Sequence, residues 1–350
     1  MAYTEFASGG AQARIAWSEH LFRESFGKMQ IKPLIGTAMG SCIQLLTDLK
    51  KTPGDQIKFD LLAQDRSDGV NGDTDLEGFE AALTYYQDTL KIDQKRHAHS
   101  FKGMSQQRTV HNLRKDGRHS LSEWMSWFFE GGILAHLAGV AGTGNETVAG
   151  ALAADTGGVD FAGNTITAPD SAHLRATATT AVLANINDLV ALAKVANPRI
   201  APLMIDGAPK YVLLIHPYTT RALQIESGAA GWASIQQNAG SRGSSNPIYT
   251  GALGEYNGVI IRESECIPRS GTDLTHNLFL GAGAGAIAFG NAWKDGAGGS
   301  GSYFDWKEQE RDYGNKKGIA AVTCVGFKGS QFNSQAFGRI VWRTTDAAPA

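Results

Sequence analysis

Residues 54–62 read Gly54-Asp55-Gln56-Ile57-Lys58-Phe59-Asp60-Leu61-Leu62, and residues 85–92 read Tyr85-Tyr86-Gln87-Asp88-Thr89-Leu90-Lys91-Ile92. Ile57, Phe59 and Leu61 recur at the two-residue period of a β-strand, and the second segment has a similar though less regular pattern. Two strand-like arms joined by a polar segment predict a β-hairpin. A two-stranded ribbon is only marginally stable alone, so we expect this hairpin to lie on another molecule.

The polar segment between the arms is too rich in Gly and acidic residues to contribute to a core. With arms of about ten residues, its tip would stand roughly 30 Å from the rest of the fold. The acidic side chains of the tip are Asp65, Asp68, Asp73, Asp75 and Glu77. Residues 73–78 partly match a calcium-binding loop, but Thr84 stands where a bidentate Glu is needed, so no calcium site is predicted.

The composition indicates a folded protein that does not bind polyanions through its overall charge. The chain has 350 residues, of which 42% are hydrophobic and 19% charged, enough for a substantial core divided into two lobes. The formal net charge of −2 argues against binding nucleic acid by phosphate neutralisation, which needs concentrated Lys and Arg. Cys42, Cys266 and Cys324 lack the spacing of a disulfide framework or a zinc site, which favours a reducing compartment.

Targeting and membrane-spanning patterns are absent from the sequence. The N-terminus has neither the basic start nor the apolar run of a signal peptide. No apolar stretch approaches the ~20 residues needed to cross a bilayer. We therefore expect a soluble protein that is made in the cytoplasm and has no membrane partner.

A long amphipathic helix is predicted after the hairpin. Its apolar stripe consists of Val110, Leu113, Gly117, Leu121, Trp124, Met125, Phe128 and Phe129. The Gly131-Gly132 pair is expected to interrupt and bend it. The opposite face carries Arg114, Lys115, Arg118 and Glu123, and we predict that the acidic hairpin tip of one copy of the chain docks near the three cations of this face on a neighbouring copy.

The second half of the chain alternates helical and strand patterns, which indicates a mixed α+β body. We expect helices at 171–196 and 219–226, and strands at 211–217, 258–262, 278–289, 303–311, 319–328 and 337–343. Residues 143–170 and 228–246 read as loops or insertions.

Sequence motifs for catalysis or cofactor binding are weak. The run Gly281-Ala282-Gly283-Ala284-Gly285-Ala286 resembles a phosphate-binding loop, but its glycines alternate as on a strand, and tight strand packing explains them better. His97 and His99 could face one way on a strand, yet a third metal ligand is lacking at useful spacing. We predict no catalytic, cofactor-binding or metal site.

Several short motifs, taken in order, resemble the major capsid proteins of N4-like tailed bacteriophages, which have the HK97-like fold. The motifs are Gly54-Asp55, Gly72-Asp73-Thr74-Asp75-Leu76-Glu77-Gly78, Ile92-Asp93-Gln94 with Arg96-His97-Ala98, His216-Pro217, Gly251 with Gly254 and Gly258, and Asp312-Tyr313-Gly314-Asn315-Lys316-Lys317-Gly318. Each is weak alone, and the combination is specific.

The resemblance implies a division of the chain into the parts of an HK97-like capsid subunit. These are an N-terminal arm (1–53), an extended β-hairpin loop (54–99), a peripheral domain with a spine helix (100–170), an axial domain (171–300) and returning strands of the peripheral domain (301–350). The segments 143–170 and 228–246 depart from the family pattern.

The implied function is a structural one, without enzymatic activity. The chain would assemble with itself as hexamers and pentamers into an icosahedral shell that encloses double-stranded DNA without sequence specificity. Further partners would be a portal and scaffold or decoration proteins, and the location would be the virion capsid after assembly in the host cytoplasm. Some relatives cross-link through a Lys and an Asn, but spacing selects none of Lys51, Lys91 and Lys102, so non-covalent cohesion is expected.

Two other classes fit the sequence less well. Another virion protein, of the tail or of the decoration type, would share the solubility and the lack of motifs, and the assembly formed would discriminate it. A nucleotide-dependent enzyme would need residues 281–286 at a strand-to-helix turn.

Overall fold

The computed structural model describes residues 29–38, 40–47, 54–62, 69–72, 75, 77–78, 80, 82–83, 85–140, 158–176, 180–196, 198–205, 207–226, 254–270, 274–290 and 304–346. Within them the four α-helices are α1 (Gly103–Arg108), α2 (Leu113–Ala138), α3 (Leu183–Val195) and α4 (Pro217–Ile225). Short 3-10 helices occur at Lys32–Leu34 and Ser171–His173.

The strands of the described residues fall mainly into two sheets. In chain order they are β1 (Ile35–Gly36), β2 (Ile43–Leu46), β3 (Gln56–Leu62), β4 (Tyr85–Lys91), β5 (Asp93–Lys102), β6 (Gly158–Val159), β7 (Thr165–Ile166), β8 (Leu174–Ala176), β9 (Leu203–Ile205), β10 (Ala208–Ile215), β11 (Gly254–Tyr256), β12 (Val259–Glu263), β13 (Arg269–Ser270), β14 (Leu274–Leu280), β15 (Gly285–Phe289), β16 (Phe304–Arg311), β17 (Lys316–Gly329), β18 (Gln331–Phe332), β19 (Gln335–Ala336) and β20 (Arg339–Thr345).

The first sheet is organised around the long strand β17. Strand β5 pairs along one edge of β17, whereas β16 and then β15 pair along the opposite edge, and β15 continues the sheet through β2 to β1. Helix α2 packs across one face, where its buried Phe128 and Phe129 contact the ring of Phe327 from β17 at centroid distances of 5.7 and 6.2 Å. This helix is therefore the spine of the first lobe.

The ends of α2 follow the usual rules of helix capping. The side chain of Asn112 accepts a hydrogen bond from the Lys115 amide at 3.2 Å, which satisfies one of the free N–H groups of the first turn. Gly139 adopts a left-handed conformation with φ of 72° and donates its N–H to the Ala135 carbonyl. Val110 precedes the helix and is fully exposed, so its predicted place in the apolar stripe is wrong.

The prediction that Gly131-Gly132 interrupts the helix is also wrong. Helix α2 continues through both residues to Ala138. A Cβ at Gly132 would lie 2.6 Å from the Phe327 ring, so this glycine provides space for the ring instead of ending the helix.

The second sheet has the order β11-β12-β10-β14-β20-β8, with β9 beside β10 and β13 beside β14. Alternate residues of β10 enter two different cores. Val212 and Leu214 join the core beneath α2, whereas Leu213 packs with α3 and α4 on the other side. Burial on both faces explains why this strand reads as a continuous apolar run.

Two other predicted elements differ from the structure. The expected helix at 171–196 begins only at Leu183, because residues 171–176 form a 3-10 turn and strand β8, which pairs with β20. The expected strand at 278–289 is two strands, β14 and β15, separated by a turn in which Gly283 has a φ of 69°. This turn allows the chain to pass from the second sheet to the first.

The three thiols are free and at least partly buried. Burial raises the pKa of Cys42 to about 12, and burial with the nearby Glu130 and Glu265 carboxylates raises that of Cys266 to about 12. Burial, with Asp93, also raises the pKa of Cys324. In the described part of the chain, no helix is both long and apolar enough to cross a bilayer.

Gly132→Ala should destabilise the subunit by about 1–3 kcal/mol, because the new methyl group would meet a ring that Phe128 and Phe129 hold in place. Gly117→Ala is the matched control on the same helix. Its Cβ would be 2.6 Å from the terminal Cδ1 of Ile319, which can rotate away, and helix propensity favours Ala by ~1 kcal/mol. Urea unfolding measures both, and equal effects would contradict this account.

His216 should make stability depend on pH. Its Nδ1 caps α4 by accepting a hydrogen bond from Tyr218 N, and burial, with the Arg269 charge, lowers its pKa to about 4. Since the folded pKa lies below the unfolded value of about 6.5, stability is complete above pH ~6.5 and is lost as the pH falls toward 4.

His216→Asn keeps a capping side chain without the titration. Between pH 7 and pH 4.5, wild type should lose about 1 kcal/mol more free energy of unfolding than this variant, a value discounted for solvent screening of the half-exposed ring. Parallel pH profiles for the two proteins would contradict the assignment.

Candidate functional site

The predicted hairpin is present as strands β3 and β4. They are antiparallel, with Gln56 opposite Lys91 and Leu62 opposite Tyr85. The next strand, β5, turns away and joins β17 in the first sheet, so the two-stranded ribbon ends at Lys91. The ribbon contacts the body at the end nearest Lys91, through residues 57–59 and 88–91.

The base of the hairpin packs against two alanines of the first sheet. Ile57 and Leu90, which face each other across the ribbon, are buried against Ala286 and Ala288 of β15. These alanines lie on the face of the first sheet opposite α2, since the intervening Ile287 belongs to the core beneath the helix. Small side chains at 286 and 288 allow the ribbon to approach the sheet closely.

A polar cluster holds the same base from the side. The ammonium group of Lys328 contacts the carboxylate of Asp88 and donates a 2.8 Å hydrogen bond to the Thr89 carbonyl. Asp88 also accepts a hydrogen bond from the Gln331 amide. The edge-to-face contact of Phe59 with Phe332, at 5.8 Å, adds apolar packing. The charge of Asp88 is thus paired although its side chain is nearly buried.

The acidic tip lies only partly within the described residues. Asp75 and Glu77 are exposed there, as the sequence predicts, whereas Asp65, Asp68 and Asp73 lie outside the described residues. Leu83 and Tyr85, at the outer end of the ribbon, are 68% and 58% exposed. Exposed apolar and acidic groups therefore occur together at this end.

The predicted basic face of α2 is partly engaged within its own chain. Arg114 donates two hydrogen bonds to the Glu308 carboxylate of β16, at 2.6 and 3.2 Å. Lys115 is exposed and Arg118 is half-buried. Of the three cations, Lys115 is the one whose position best suits a contact with another molecule.

A second basic surface, which was not predicted from the sequence, lies on the face of the first sheet opposite α2. The strand registers place Lys102, Lys316 and Arg311 side by side in one row. The next row on this face is neutral, with Ser100, Gly318 and Gln309, and the row after it adds Lys307 beside Ala98 and Ala320. A cavity of about 980 Å³ lies at this end of the sheet. Arg96 and Lys102, which flank Ala98 and Ser100 at the two-residue period of β5, could have indicated this surface.

The residues that resembled a nucleotide-binding loop or metal ligands in the sequence have structural roles in the fold. Residues 281–284 connect two strands, so the strand-to-helix geometry that a nucleotide loop requires is not found there, and the expectation that these glycines alternate on a single strand is wrong. His97 stacks on Trp124 of α2 at 4.6 Å and contacts His99, and burial lowers the pKa of His97. Among the described residues, no three His, Cys, Asp or Glu side chains form a set that could hold a metal ion.

Comparison with known proteins gives a consistent result. The family model described as phage capsid protein matches residues 5–348. The major capsid protein of Pseudomonas phage KPP25 is 27% identical, over 95% of this chain and 93% of that protein.

Solved structures agree in fold. The capsid of Ralstonia phage GP4 is 28% identical over the whole of both chains, with a TM-score of 0.75. The capsid of cyanophage Pam1, at 19% identity, covers 100% of this chain and 95% of that one, with a TM-score of 0.71. Because the family model spans nearly the whole sequence and the fold is that of solved phage capsids, the chain belongs to the phage capsid protein family.

Proposed function

We propose that this protein is the major capsid protein of a tailed bacteriophage, with the HK97-like subunit architecture, and that repeated copies build an icosahedral shell around double-stranded DNA. The observation that carries the proposal is the hairpin: its base is fixed to the sheet by Ile57, Leu90 and Asp88, while its outer end exposes apolar and acidic groups. Such a ribbon gains stability when it lies on a neighbouring subunit.

The parts of the subunit are proposed to act as the family resemblance implies. Residues 1–53 form an arm, 54–99 the extended loop, 100–170 with 301–350 the peripheral domain and 171–300 the axial domain that meets around hexamer and pentamer axes. The spine helix α2 and strands β16 and β17 support the peripheral assignment, and β5, which begins within the proposed loop at Asp93, pairs with β17 in the same sheet. Strand β20 pairs with β14, so the chain returns to the second sheet at its end.

Neighbouring subunits are proposed to meet through charge complementarity. The acidic tip, with Asp65, Asp68, Asp73, Asp75 and Glu77, docks near Arg114, Lys115 and Arg118 of a neighbour. Each exposed ion pair contributes only ~0–1 kcal/mol, but a shell repeats it in every copy. Cohesion is non-covalent, and the subunit has no catalytic activity.

Other partners follow from the same role. A portal and scaffold or decoration proteins would share the shell, which assembles in the host cytoplasm. The net charge of −2 suits a container, because DNA must fill it and later leave without tight phosphate binding.

Electron microscopy of the expressed protein should reveal closed shells. Deletion of residues 66–78 should leave a folded, soluble subunit, because the anchoring contacts lie at the base of the ribbon, yet shells should be absent or fragile. Circular dichroism checks the fold of the deletion variant. Shells of unchanged yield and heat resistance would refute the overlapping role of the hairpin.

Lys115→Gln should reduce shell yield and flatten its salt dependence if the tip docks on α2, because the lost charge is one that salt would otherwise screen. The matched control is Lys194→Gln, an exposed lysine on α3. Arg114→Gln is a poorer probe, since it also breaks the contact with Glu308. Light scattering against salt concentration measures assembly, and identical salt profiles for wild type and Lys115→Gln would exclude this docking surface.

A further inference from the structure

The segment 158–166 makes three separate contacts at the point where the hairpin joins the body. Strands β6 and β7 form a small antiparallel ribbon whose turn carries Asp160, Phe161 and Asn164. From its sequence, this segment was expected to be a loop or insertion without a role. We propose that it is a clasp that fixes the angle at which the β3–β4 hairpin leaves the subunit.

The first contact is between Asn164 and the last residue of the hairpin. The Asn164 side chain accepts a hydrogen bond from Lys91 N at 2.7 Å and donates one to Lys91 O at 2.8 Å. One amide side chain thus pairs with both backbone groups of Lys91, as a neighbouring strand would. Asn164 is 3% exposed, so these bonds are protected from water.

The second contact joins the same turn to the end of the spine helix. Asp160 accepts hydrogen bonds from the backbone amides of Ala162 and Asn164 and from the Asn164 side chain. Its other partner is Nε2 of His136, at 3.1 Å, and both side chains are buried. Burial favours a higher pKa for Asp160, but these hydrogen bonds hold its pKa below the usual range, so the carboxylate stays ionised.

The third contact is apolar and lies on the helix side of the sheet. The Phe161 ring is 5.4 Å from that of Phe128 on α2 and 6.4 Å from that of Phe327 on β17. The ammonium group of Lys95 lies over the Phe161 ring at 5.2 Å. The clasp is therefore held by the rigid core and not by the hairpin that it contacts.

The position of the clasp gives it leverage over the outer end of the hairpin. A seven-residue strand is about 23 Å long, so a swing of about 10° at Lys91 would move its far end by about 4 Å. A displacement of that size exceeds the length of a hydrogen bond. This inference rests on the proposed role of the hairpin in joining subunits, because only then does its angle matter.

The test separates the clasp from that role by two measurements on the full-length protein. In the unassembled subunit, Asn164→Ala should speed hydrogen exchange at the Lys91 amide by about tenfold or more, with exchange at Leu213 in β10 unchanged, because the opening is local. Thr165→Ala, an exposed change in β7 next to Asn164, is the matched control and should alter neither rate. If the alanine variant does not fold, Asn164→Ser replaces it: the shorter, uncharged side chain loses the paired bonds to Lys91 without placing a second carboxylate beside Asp160, and should also speed exchange at Lys91.

The second measurement is shell formation by electron microscopy. Faster exchange at Lys91 together with misassembled or fewer shells supports the clasp as the determinant of the hairpin angle. Unchanged exchange at Lys91 overturns the clasp, whatever the shells look like. Faster exchange at Lys91 with normal shells overturns the proposal that the clasp sets the hairpin angle needed for assembly. Normal shells from the tip deletion would overturn the proposed function of the hairpin itself, whatever the clasp does.

Discussion

The packing of the Phe327 ring against Gly132 is the contact on which the rest of the structure depends. Strand β17 pairs with β5, β15 and β16, so its position sets the first sheet, and the absence of a side chain at Gly132 sets its distance from the spine helix. At Gly326, one residue before Phe327 in β17, a side chain would overlap the carbonyl group of Lys91. The same strand is thus pressed by a helix on one face and by the hairpin on the other.

A buried arginine connects this first lobe to the second. Arg339 begins β20 in the second sheet and donates a 2.6 Å hydrogen bond to the His136 carbonyl near the end of α2. Gly329 leaves room for the guanidinium, and a side chain there would overlap it. Burial lowers the pKa of Arg339 to about 10, so it remains charged at neutral pH, with Asp88 and Asp170 as the nearby acids. The charge of Arg339, in the second sheet, is therefore placed between the end of the spine helix and Asp88 at the base of the hairpin.

The elements with strong periodicity could be predicted from sequence. The arms of the hairpin, the first part of α2 and the buried strand β10 followed from residue spacing, since burial on one or two faces leaves a direct pattern. The role of Gly132 could not, because a glycine that bends a helix and a glycine that admits a ring look the same in one dimension. The turn at 281–284 was hidden for a similar reason: alternating Gly and Ala satisfy both a strand and a tight connection.

The candidate surfaces were predictable only in part. Asp75 and Glu77 are exposed as expected, but no pattern of residues indicates that Arg114 pairs with Glu308, which lies far along the chain. The role of Asn164 could not be predicted, because it bonds to the backbone of Lys91, and a backbone contact leaves no pattern in the sequence.

The buried thiols have a consequence for durability outside the cell. Because burial raises the pKa of Cys42 and Cys266 to about 12, both thiols stay protonated near neutral pH, and the thiolate is the form that oxidants attack. A particle made of many copies contains each cysteine many times. Even slow oxidation of a reactive thiol would therefore damage many subunits of the particle. Because the thiols of Cys42 and Cys266 stay protonated, each copy is protected from oxidation at these two residues.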